Sequence, residues 1–436
     1  MKITKLKKIL LICSLSYFTL FTGACTSTKV VRKLNKTVTG TLKLETFQNH
    51  FTGIMIYDPI AMDTLYRFNS DKYFTPASNT KIFTLYSSLV MLPKNLPALK
   101  YCIIKDSLFI EGTGDPSMLH PFFKDSTVIQ FLKGFKNIAL NQSNFTDSRY
   151  GPGWAWEDYD GYYSPERSAL PIFGNVVTIS HTDTLTVALN IYPNSFKDNV
   201  RLLKHAKNRD ISTNIFYFDP QRKDTLEIPF KLDNEIVRVL LEEALDKKIG
   251  LTNNIPCENK MVLPGLPTDS INKRMMQESD NFLAEQLLLL ASSTLSDSLN
   301  TEITIGHMLE NHLQELNQPP RWVDGSGLSR YNLFTPESMV YVLNAMYKEF
   351  PKDRLFSLFA EGGVSGTITD WYPGNPDSYV YAKTGTLGNN HNISGYLITK
   401  SGKTLIFSFM NNHFTNSTSE VKEQMEYLFK WIRDNL

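Results

Sequence analysis

Between residues 96 and 259 the residue pattern changes from helical to strand-like, and this change constrains the fold more than any other feature. Short pieces rich in β-branched and aromatic residues alternate there with polar turns, which is typical of strands. Helical patterns dominate on either side. Residues 82–92 are apolar nearly all round, and residues 417–436 carry apolar side chains on one face. The sequence therefore predicts one or two small β-rich domains between regions of a different character.

The composition is that of a globular protein. Of 436 residues, 42% are hydrophobic and 20% are charged, which is too apolar for a disordered chain and too mixed for a coiled coil. The formal net charge of +1 argues against a broad nucleic-acid-binding face, because such a face has to be basic. We therefore predict no nucleic-acid partner.

Local patterns predict several elements around the β-rich region. Residues 51–58 favour a strand, with residues 65–68 as its hairpin partner. Gly402 marks a tight turn between two apolar runs, which we expect to pair antiparallel. The helix at 417–436 should lie on the resulting sheet. Further predicted elements are helices at 235–249 (ended by Gly250), 280–293, 302–316 and from Thr335-Pro336-Glu337, and strands at 378–383, 393–400 and 404–411.

The first 24 residues have the pattern of a signal peptide. Residues 2–8 carry four lysines and no acid, and the apolar run at 9–24 is shorter than the ~20 residues that span a membrane. The small residues before Cys25 resemble a lipobox, in which Cys25 is lipidated and becomes the mature N-terminus. Ordinary cleavage near Ala24 is the alternative. We predict an exported, periplasmic protein whose only membrane attachment is a lipid anchor at Cys25.

The leader also affects charge and cysteine content. Its removal takes four lysines from a chain of net charge +1, which leaves a net charge of −3. Cys13 is lost as well, so that Cys102 and Cys257 remain besides Cys25. The sequence leaves open whether these two form a disulfide or stay as buried thiols.

Ser78 and Lys81 form a Ser-x-x-Lys pattern at the start of a predicted helix. Thr75 suits its N-cap and Pro76 its first position. Residues three apart share a helix face, so the lysine amine would lie beside the serine hydroxyl. A serine becomes a nucleophile when a neighbour takes its proton, and a neutral lysine can do so if its pKa falls by about 3 units from ~10.4. Alone, however, the pattern is common by chance.

Two further motifs follow along the chain. Ser279-Asp280-Asn281 stands at the start of a predicted helix, and Lys383-Thr384-Gly385 stands near the end of a predicted strand. Taken singly, the first fits an ordinary N-cap and the second fits a surface lysine before a turn glycine. The informative feature is the order of the three motifs, in which Ser279 follows Lys81 by 198 positions.

In this order the motifs resemble the penicilloyl-serine transferase set of penicillin-binding proteins and serine β-lactamases. The long separation of the first two motifs is unlike a small β-lactamase. More narrowly, the chain resembles the low-molecular-mass class C penicillin-binding proteins, which are D-Ala-D-Ala carboxypeptidases and endopeptidases of the penicillin-binding-protein-4 type. The strings that carry this resemblance are FTPASNTKIFT (74–84), EGTGDPSM (111–118), PGWAWEDYDGYYSPERSAL (152–170), SDNFLAEQLL (279–288), DGSGLSRYNLFTPESM (324–339), GVSGTI (363–368) and AKTGTLGNNHNISGY (382–396).

The resemblance runs from about residue 35 to 420 and implies an α+β fold. Its main part would be a serine transpeptidase/β-lactamase-like domain, an antiparallel sheet flanked by helices. A β-rich insertion would form one or two extra domains. The peptidase domain would therefore be discontinuous, over 25–95 and 260–436, with residues 96–259 inserted.

The resemblance also implies catalytic roles. Ser78 would be the acyl-enzyme nucleophile and Lys81 the base that takes its proton. Ser279 would relay a proton to the departing amine, and Asn281 would hold Lys81 and the peptide group of the substrate. The implied reaction is hydrolysis of D-alanyl-D-alanine ends or cross-links of peptidoglycan stem peptides, with β-lactams as inhibitors.

The third motif would bind the substrate. Lys383 would dock the terminal carboxylate and help to keep Lys81 neutral, while Thr384 and Thr386 would hydrogen-bond that carboxylate and its surroundings. The backbone N–H groups of Ser78 and Thr386 would form the oxyanion hole. Residues 387–392 (LGNNHN) depart from the family's pattern and are predicted to form a loop beside the site.

Two other functions use the same motifs: a β-lactamase or esterase, and a non-catalytic penicillin- or wall-binding lipoprotein. No cofactor or metal is predicted, since His307 and His312 are five residues apart, the wrong spacing for a helical metal pair. Glu166 is interpreted as structural rather than as a deacylating base. The aromatic cluster from Trp154 to Tyr163 is interpreted as packing rather than as a sugar platform.

Overall fold

The computed structural model describes residues 29, 31–182 and 188–436, so the predicted signal peptide and Cys25 lie outside the described residues. The strands are β1 (Phe51–Asp58), β2 (Asp63–Phe68), β3 (Asn95–Ile104), β4 (Ser107–Glu111), β5 (Asn137–Asn141), β6 (Val176–His181), β7 (Leu189–Tyr192), β8 (Val200–Leu202), β9 (Phe216–Phe218), β10 (Leu226–Pro229), β11 (Gly250–Thr252), β12 (Met261–Pro267), β13 (Ala360–Glu361), β14 (Val380–Leu387), β15 (Asn390–Ile398) and β16 (Thr404–Asn412). The helices are α1 (31–42), α2 (Glu45–Gln48), α3 (Lys81–Met91), α4 (Thr127–Lys133), α5 (Asn234–Leu245), α6 (Thr268–Gln277), α7 (Asn281–Ser292), α8 (Thr301–Asn311), α9 (Pro336–Glu349), α10 (Lys352–Leu358) and α11 (Thr418–Asn435).

A six-stranded antiparallel sheet, ordered β13-β14-β15-β16-β1-β2, forms the centre of the molecule. It joins the two ends of the chain, because β1 pairs with β16 from Phe51 opposite Asn412. The predicted pairing of residues 51–58 with 65–68 is confirmed. The predicted turn at Gly402 is also confirmed: its φ is +84°, and β15 and β16 pair antiparallel on either side.

Helices cover both faces of this sheet. On one face, α3 and α6 to α10 share a hydrophobic core with Tyr396 and Ile406 of the sheet. On the other face, α1, α2 and α11 pack on Ile54, Ile393 and Phe407. The prediction that the last helix lies on the sheet is confirmed. The α+β architecture with a helix-flanked antiparallel sheet is therefore also confirmed.

The β-rich part of the chain forms its own sheets and a separate hydrophobic core. One sheet has the order β11-β5-β4-β3-β12, and smaller sheets have the orders β10-β6-β7 and β8-β9. The outer strand β12 runs to Pro267, beyond residue 259, and α6 follows it directly. Cys102 on β3 forms a disulfide with Cys257, which resolves the question that the sequence leaves open.

Three helix boundaries differ from the sequence-based predictions. The helix predicted from Thr75 begins only at Lys81, because residues 77–80 form a 3-10 turn that starts with Ala77 in a left-handed conformation (φ +49°). The helix predicted to run to Gly250 ends at Leu245, where Asp246 takes the left-handed position (φ +52°) that ends many helices.

The helix predicted at 302–316 ends at Asn311, after which the chain turns. By contrast, the helix predicted from Thr335 is confirmed. Its N-cap is the Thr335 side chain, which accepts from the Ser338 N–H, and Pro336 occupies the first turn. Among the residues that the structure describes, no helix combines the length and apolar character needed to cross a bilayer.

Candidate active site

Ser78 and Lys81 lie at the junction between the 3-10 turn and α3. The Lys81 Nζ lies 3.0 Å from the Ser78 Oγ, and the Lys81 side chain is fully buried. The predicted proximity of amine and hydroxyl is therefore present, although the turn between them is tighter than the expected α-helix. The serine hydroxyl opens into a cleft, whereas the amine is held below it.

The hydrogen bonds of Lys81 determine where the lone pair of its neutral amine points. Besides Ser78, its Nζ donates to the Asn281 Oδ1 at 2.7 Å and to the Ser326 carbonyl at 2.8 Å. Both of these partners are carbonyl oxygens, which can only accept. When the amine is neutral, its two N–H bonds can satisfy them, and its lone pair then faces the Ser78 hydroxyl. This geometry would allow Lys81, when neutral, to accept the proton of the Ser78 hydroxyl.

Asn281 is held in the orientation that this arrangement requires. Its Nδ2 donates to the Tyr163 carbonyl at 3.0 Å, which leaves Oδ1 for Lys81. Asn281 is the first residue of α7, and the Asp280 side chain caps that helix by accepting from the Leu283 N–H. The predicted N-cap is therefore present, but Asp280 provides it rather than Ser279.

Burial lowers the pKa of Lys81 to about 8, while the carboxylates of Asp324, Glu285 and Asp280 oppose this by favouring the ammonium. The free energy associated with the shift is about 3 kcal/mol. The basic form of Lys81 is thus accessible near neutral pH. Burial, rather than a second cation, is the largest cause.

Two buried carboxylates behind Lys81 were missed by sequence reasoning. Glu285 is 1% exposed, and it accepts from the Ser326 N–H at 2.7 Å. Burial and Asp324 raise the pKa of Glu285 to about 7, and the Arg167 guanidinium, 3.5 Å away, opposes this. Because the Ser326 carbonyl accepts from Lys81, Glu285 helps to fix the residue that contacts the lysine amine.

Asp324 shapes the loop that carries Ser326. Its carboxylate accepts from the N–H groups of Gly327 and Ser329 and from the indole of Trp154. Gly327 has a φ of +79°, and any side chain there would collide with the Ala77 carbonyl. Nothing in the sequence indicated that this aspartate contributes to the charge around Lys81.

Lys383 lies in the middle of β14, not near a strand end as predicted. Its Nζ donates to the Ser279 Oγ at 2.9 Å and to the Thr384 carbonyl at 2.7 Å, so the second and third motifs meet. Burial and the nearby Lys81 lower the pKa of Lys383 well below its ordinary value. Since Ser279 accepts from Lys383, its own hydroxyl proton remains available to donate into the cleft.

The backbone of β14 runs close to the nucleophile. A Cβ at Gly385 would lie 2.9 Å from the Ser78 nitrogen, so only glycine permits this approach. Strand β14 therefore brings the peptide of Thr386 to the same wall of the cleft as Ser78. Two backbone N–H groups from different segments are the arrangement that an oxyanion hole needs.

The two threonines of this strand have side-chain partners that the sequence did not reveal. The Thr384 Oγ1 lies 2.6 Å from that of Thr367. The Thr386 Oγ1 lies 2.8 Å from the Nδ1 of His391, its cross-strand neighbour. Burial lowers the pKa of His391 to about 3, so its imidazole is neutral.

The residues that follow the third motif do not form the predicted loop. β14 continues to Leu387 and β15 begins at Asn390, so only Gly388 and Asn389 make the turn. Asn389 has a φ of +68°, which suits such a tight hairpin. The alternation of strand residues explains why His391 faces Thr386: the two are directly opposite in the antiparallel ladder.

A cavity of about 490 Å³ is lined by Ser78. Its walls combine the motif-bearing segments with the β-rich part of the chain. The residues that line it include Ser78, Ser279 and Asn281 of the motifs, Arg274 of α6 and Thr367, together with His120, Tyr163 and Glu227 of the β-rich part. A cavity of this volume lies within the range of ordinary ligand pockets, so it can take more than a single small group.

Three further sequence-based interpretations concern Glu166, metal binding and the aromatic cluster from Trp154 to Tyr163. Glu166 is buried, and its carboxylate accepts from the Leu232 N–H and the Tyr150 hydroxyl, away from the cleft. In the described part of the chain, no group of three or more His, Cys, Asp or Glu side chains could hold a metal ion. The packing interpretation of the aromatic cluster fits Trp154, but it is wrong for Trp156 and Tyr162, which are exposed.

Comparison with known proteins gives a consistent result. A family model described as D-Ala-D-Ala carboxypeptidase 3 (S13) matches residues 34–207 and 259–434. The chain is 22% identical over 418 residues to the Haemophilus influenzae protein named D-alanyl-D-alanine carboxypeptidase DacB, which covers 84% of this chain and 86% of the relative.

Solved structures resemble the fold over nearly its whole length. The crystal structure of penicillin-binding protein 4 from Haemophilus influenzae matches with a TM-score of 0.71 and 20% identity, over 91% of this chain and 99% of the other. A structure of the same protein complexed with a β-lactam matches with a TM-score of 0.63 and 18% identity, over 91% and 98% of the two chains.

Proposed function

This chain belongs to the D-Ala-D-Ala carboxypeptidase 3 (S13) family, and on that basis we propose that it is a serine DD-peptidase acting on D-alanyl-D-alanine ends or cross-links of peptidoglycan stem peptides. The observation that carries the proposal is the contact of the buried Lys81 amine with the Ser78 hydroxyl. The alternative of a non-catalytic binding protein would not need a nucleophile and a base held at 3.0 Å.

Acylation follows from the hydrogen bonds of Lys81. Its lone pair takes the Ser78 proton as Oγ attacks the carbonyl of the penultimate D-alanine, and the negative charge on the carbonyl oxygen is met by the N–H groups of Ser78 and Thr386. The C–N bond then breaks, and the proton that Lys81 took from Ser78 passes by way of the Ser279 hydroxyl to the departing amine. This leaves an acyl ester on Ser78, which water hydrolyses.

Substrate recognition centres on Lys383. Two of its three N–H bonds have partners in the described residues, Ser279 and the Thr384 carbonyl, so the third can donate to a carboxylate in the cleft. A carboxylate there favours the charged form of Lys383 and so offsets the cost of burying it. Thr384 and Thr386 add hydroxyl donors on the same strand.

β-Lactams are expected to acylate the same serine, since a complex with a β-lactam exists for the structurally similar penicillin-binding protein 4. A β-lactamase is the other enzyme that these motifs could form. The β-rich region that walls the cleft through Glu227 and Tyr163 favours the peptidase, because it provides surface for a peptide that a compact β-lactam does not need.

Two further proposals concern export and the division of the chain into domains. We infer that residues 1–24 are removed on export to the periplasm and that Cys25 carries a lipid. We also infer a discontinuous peptidase domain, 25–95 and 260–436, around an inserted region at 96–259, which the separate hydrophobic core of that region supports. If the lipid is present, Cys25→Ala releases the protein from membranes washed at high salt. Unchanged retention would contradict it.

A labelled penicillin tests the proposed chemistry. The enzyme should acquire a stable label, Ser78→Ala should acquire none, and Ser88→Ala should label normally. Ser88 is the control, because it is a buried serine on α3, the helix that follows Ser78, and its hydroxyl has no hydrogen-bond partner in the described chain. Rapid release of the label would instead indicate a β-lactamase, and an absence of labelling would indicate a binding protein.

Digestion of purified muropeptides then identifies the bond that is cut. Loss of a single D-alanine from uncross-linked stem peptides indicates carboxypeptidase activity, whereas separation of cross-linked dimers indicates endopeptidase activity. Mass spectrometry distinguishes the two products. If neither product forms with a chain that labels with penicillin, the proposed substrate is wrong.

A further inference from the structure

The first helix presents a continuous basic surface. Lys29, Arg32, Lys33 and Lys36 are spaced at i, i+3, i+4 and i+7, which places them on one face of a helix, and all four are exposed. Lys43 follows just after α1 and is also exposed. We call these five residues the basic face. The sequence has no Asp or Glu between residues 25 and 44, so no acid within this segment offsets them.

The opposite side of α1 is fixed to the body of the protein. Leu34 and Val38 are completely buried against the core that α11 and the central sheet share, and Thr41 on the same side is 5% exposed. The helix is therefore not a loosely attached tail, and its basic face has a defined direction, away from the sheet. Because the apolar side of α1 is buried in the protein, the helix can meet a bilayer only through its outward cations, which anionic headgroups attract.

The neighbouring end of α11 adds an aromatic residue at the edge of the basic face. Lys33 donates to the Asn435 Oδ1 at 2.7 Å, and its Nζ lies 5.4 Å from the centre of the Trp431 ring. One turn earlier on α11, Tyr427 is 62% exposed. Tryptophan and tyrosine beside lysine are the residues that favour the interface between headgroups and water.

The position and the charge distribution favour a membrane as the partner. Cys25 and Lys29 are four positions apart in the sequence, which limits their separation to about 14 Å. The chain without its leader has a net charge of −3, because the leader takes four lysines from a net charge of +1, so a uniform attraction to anions is not expected. The cations are instead concentrated where the chain would approach the bilayer.

We propose that the basic face of α1 docks on anionic lipid headgroups and orients the enzyme on the membrane. The inference does not depend on the catalytic assignment, and it can be tested without the lipid on Cys25. Each cation near an anionic surface increases partitioning by about fivefold, and salt weakens the effect within a Debye length. The basic face therefore acts as a second, reversible attachment beside the proposed acyl chain.

Vesicle sedimentation tests the proposal on the chain from residue 25 onward, made without its leader and therefore without a lipid. It should bind phosphatidylcholine vesicles that contain phosphatidylglycerol, should be released by high salt, and should not bind phosphatidylcholine alone. The triple variant Lys29→Gln, Arg32→Gln and Lys36→Gln should lose on the order of 100-fold in partitioning. None of these three side chains has a hydrogen-bond or ion-pair partner among the residues that the structure describes.

The matched control removes three exposed lysines from the β-rich region: Lys204→Gln, Lys223→Gln and Lys231→Gln. The control should bind as the parent does, and both variants should label with penicillin at the parental rate. Equal loss of binding in the control, equal binding of the parent to neutral vesicles, or binding to a soluble anionic polymer but not to anionic vesicles would each overturn the proposal. Failure of penicillin labelling in the parent would bear on the proposed function alone.

Discussion

Replacing Asn281 by aspartate tests how the site keeps the amine of Lys81 neutral. The change turns an amide oxygen 2.7 Å from the Lys81 Nζ into a carboxylate of the same shape. Two unit charges at that distance attract by about 6 kcal/mol at an effective dielectric constant of ~20, and the cost of burying the new carboxylate offsets part of this. If about 3 kcal/mol remains, the pKa of Lys81 rises by about 2 units.

The expected kinetic effect follows from the fraction of neutral amine. With a pKa of about 8, roughly a tenth of Lys81 is neutral near pH 7, and with a pKa of about 10 roughly a thousandth is neutral. Acylation of Ser78 should therefore slow by about 100-fold at neutral pH. In the parent enzyme the rate should rise with pH through about 8, and in the variant this rise should move to higher pH.

Stopped-flow acylation by a labelled penicillin over a range of pH measures this shift. Asn281→Ala is the control, because it removes the hydrogen-bond acceptor without adding a charge and should not raise the pKa of Lys81. If Asn281→Asp slows acylation but leaves the inflection at the parental pH, the loss is one of geometry. The account of Lys81 as a base would then be refuted.

Three further predictions concern the carboxylate site, the hairpin and the disulfide. Lys383→Ala should raise KM sharply for substrates that end in a free carboxylate but not for amidated ones, and equal KM values would contradict the docking role. His391→Leu should raise KM by roughly fivefold, because it removes about one hydrogen bond, the one that orients the Thr386 hydroxyl. His391→Asn should recover part of this loss, and an unchanged KM would exclude a role of His391 in orienting Thr386. The double variant Cys102→Ser and Cys257→Ser should lower the free energy of unfolding by about 2–4 kcal/mol in urea titrations, because the disulfide closes a loop of 155 residues. An unchanged unfolding midpoint would contradict this.

The sequence could predict the residues whose chemistry is carried by short local motifs. Ser78 and Lys81 are three residues apart, so any helical turn brings them together, and the structure places them at 3.0 Å despite the unexpected 3-10 geometry. The strands after residue 378 were also predictable, because their apolar runs and Gly402 mark a meander. Patterns with a short period survive errors of several residues in the boundaries.

The residues that set the charge around Lys81 were not predictable. Glu285 lies within an apolar helical run, and Asp324 lies in a glycine-rich turn, so neither has a local signature of a role near the base. Their effect depends on burial and on the path of the loop that carries Ser326, which are properties of the folded chain. The contact between His391 and Thr386 was likewise hidden, because it depends on the register of a hairpin that the sequence suggested to be a loop.

The most direct test of the central claim is a crystal structure of the enzyme soaked with a β-lactam. We predict continuous density from the Ser78 Oγ to the opened lactam, a carbonyl oxygen between the N–H groups of Ser78 and Thr386, and a carboxylate on Lys383. The Lys81 Nζ should remain in contact with the ester oxygen and with Asn281. Density attached to another residue, or a carboxylate remote from Lys383, would contradict the account.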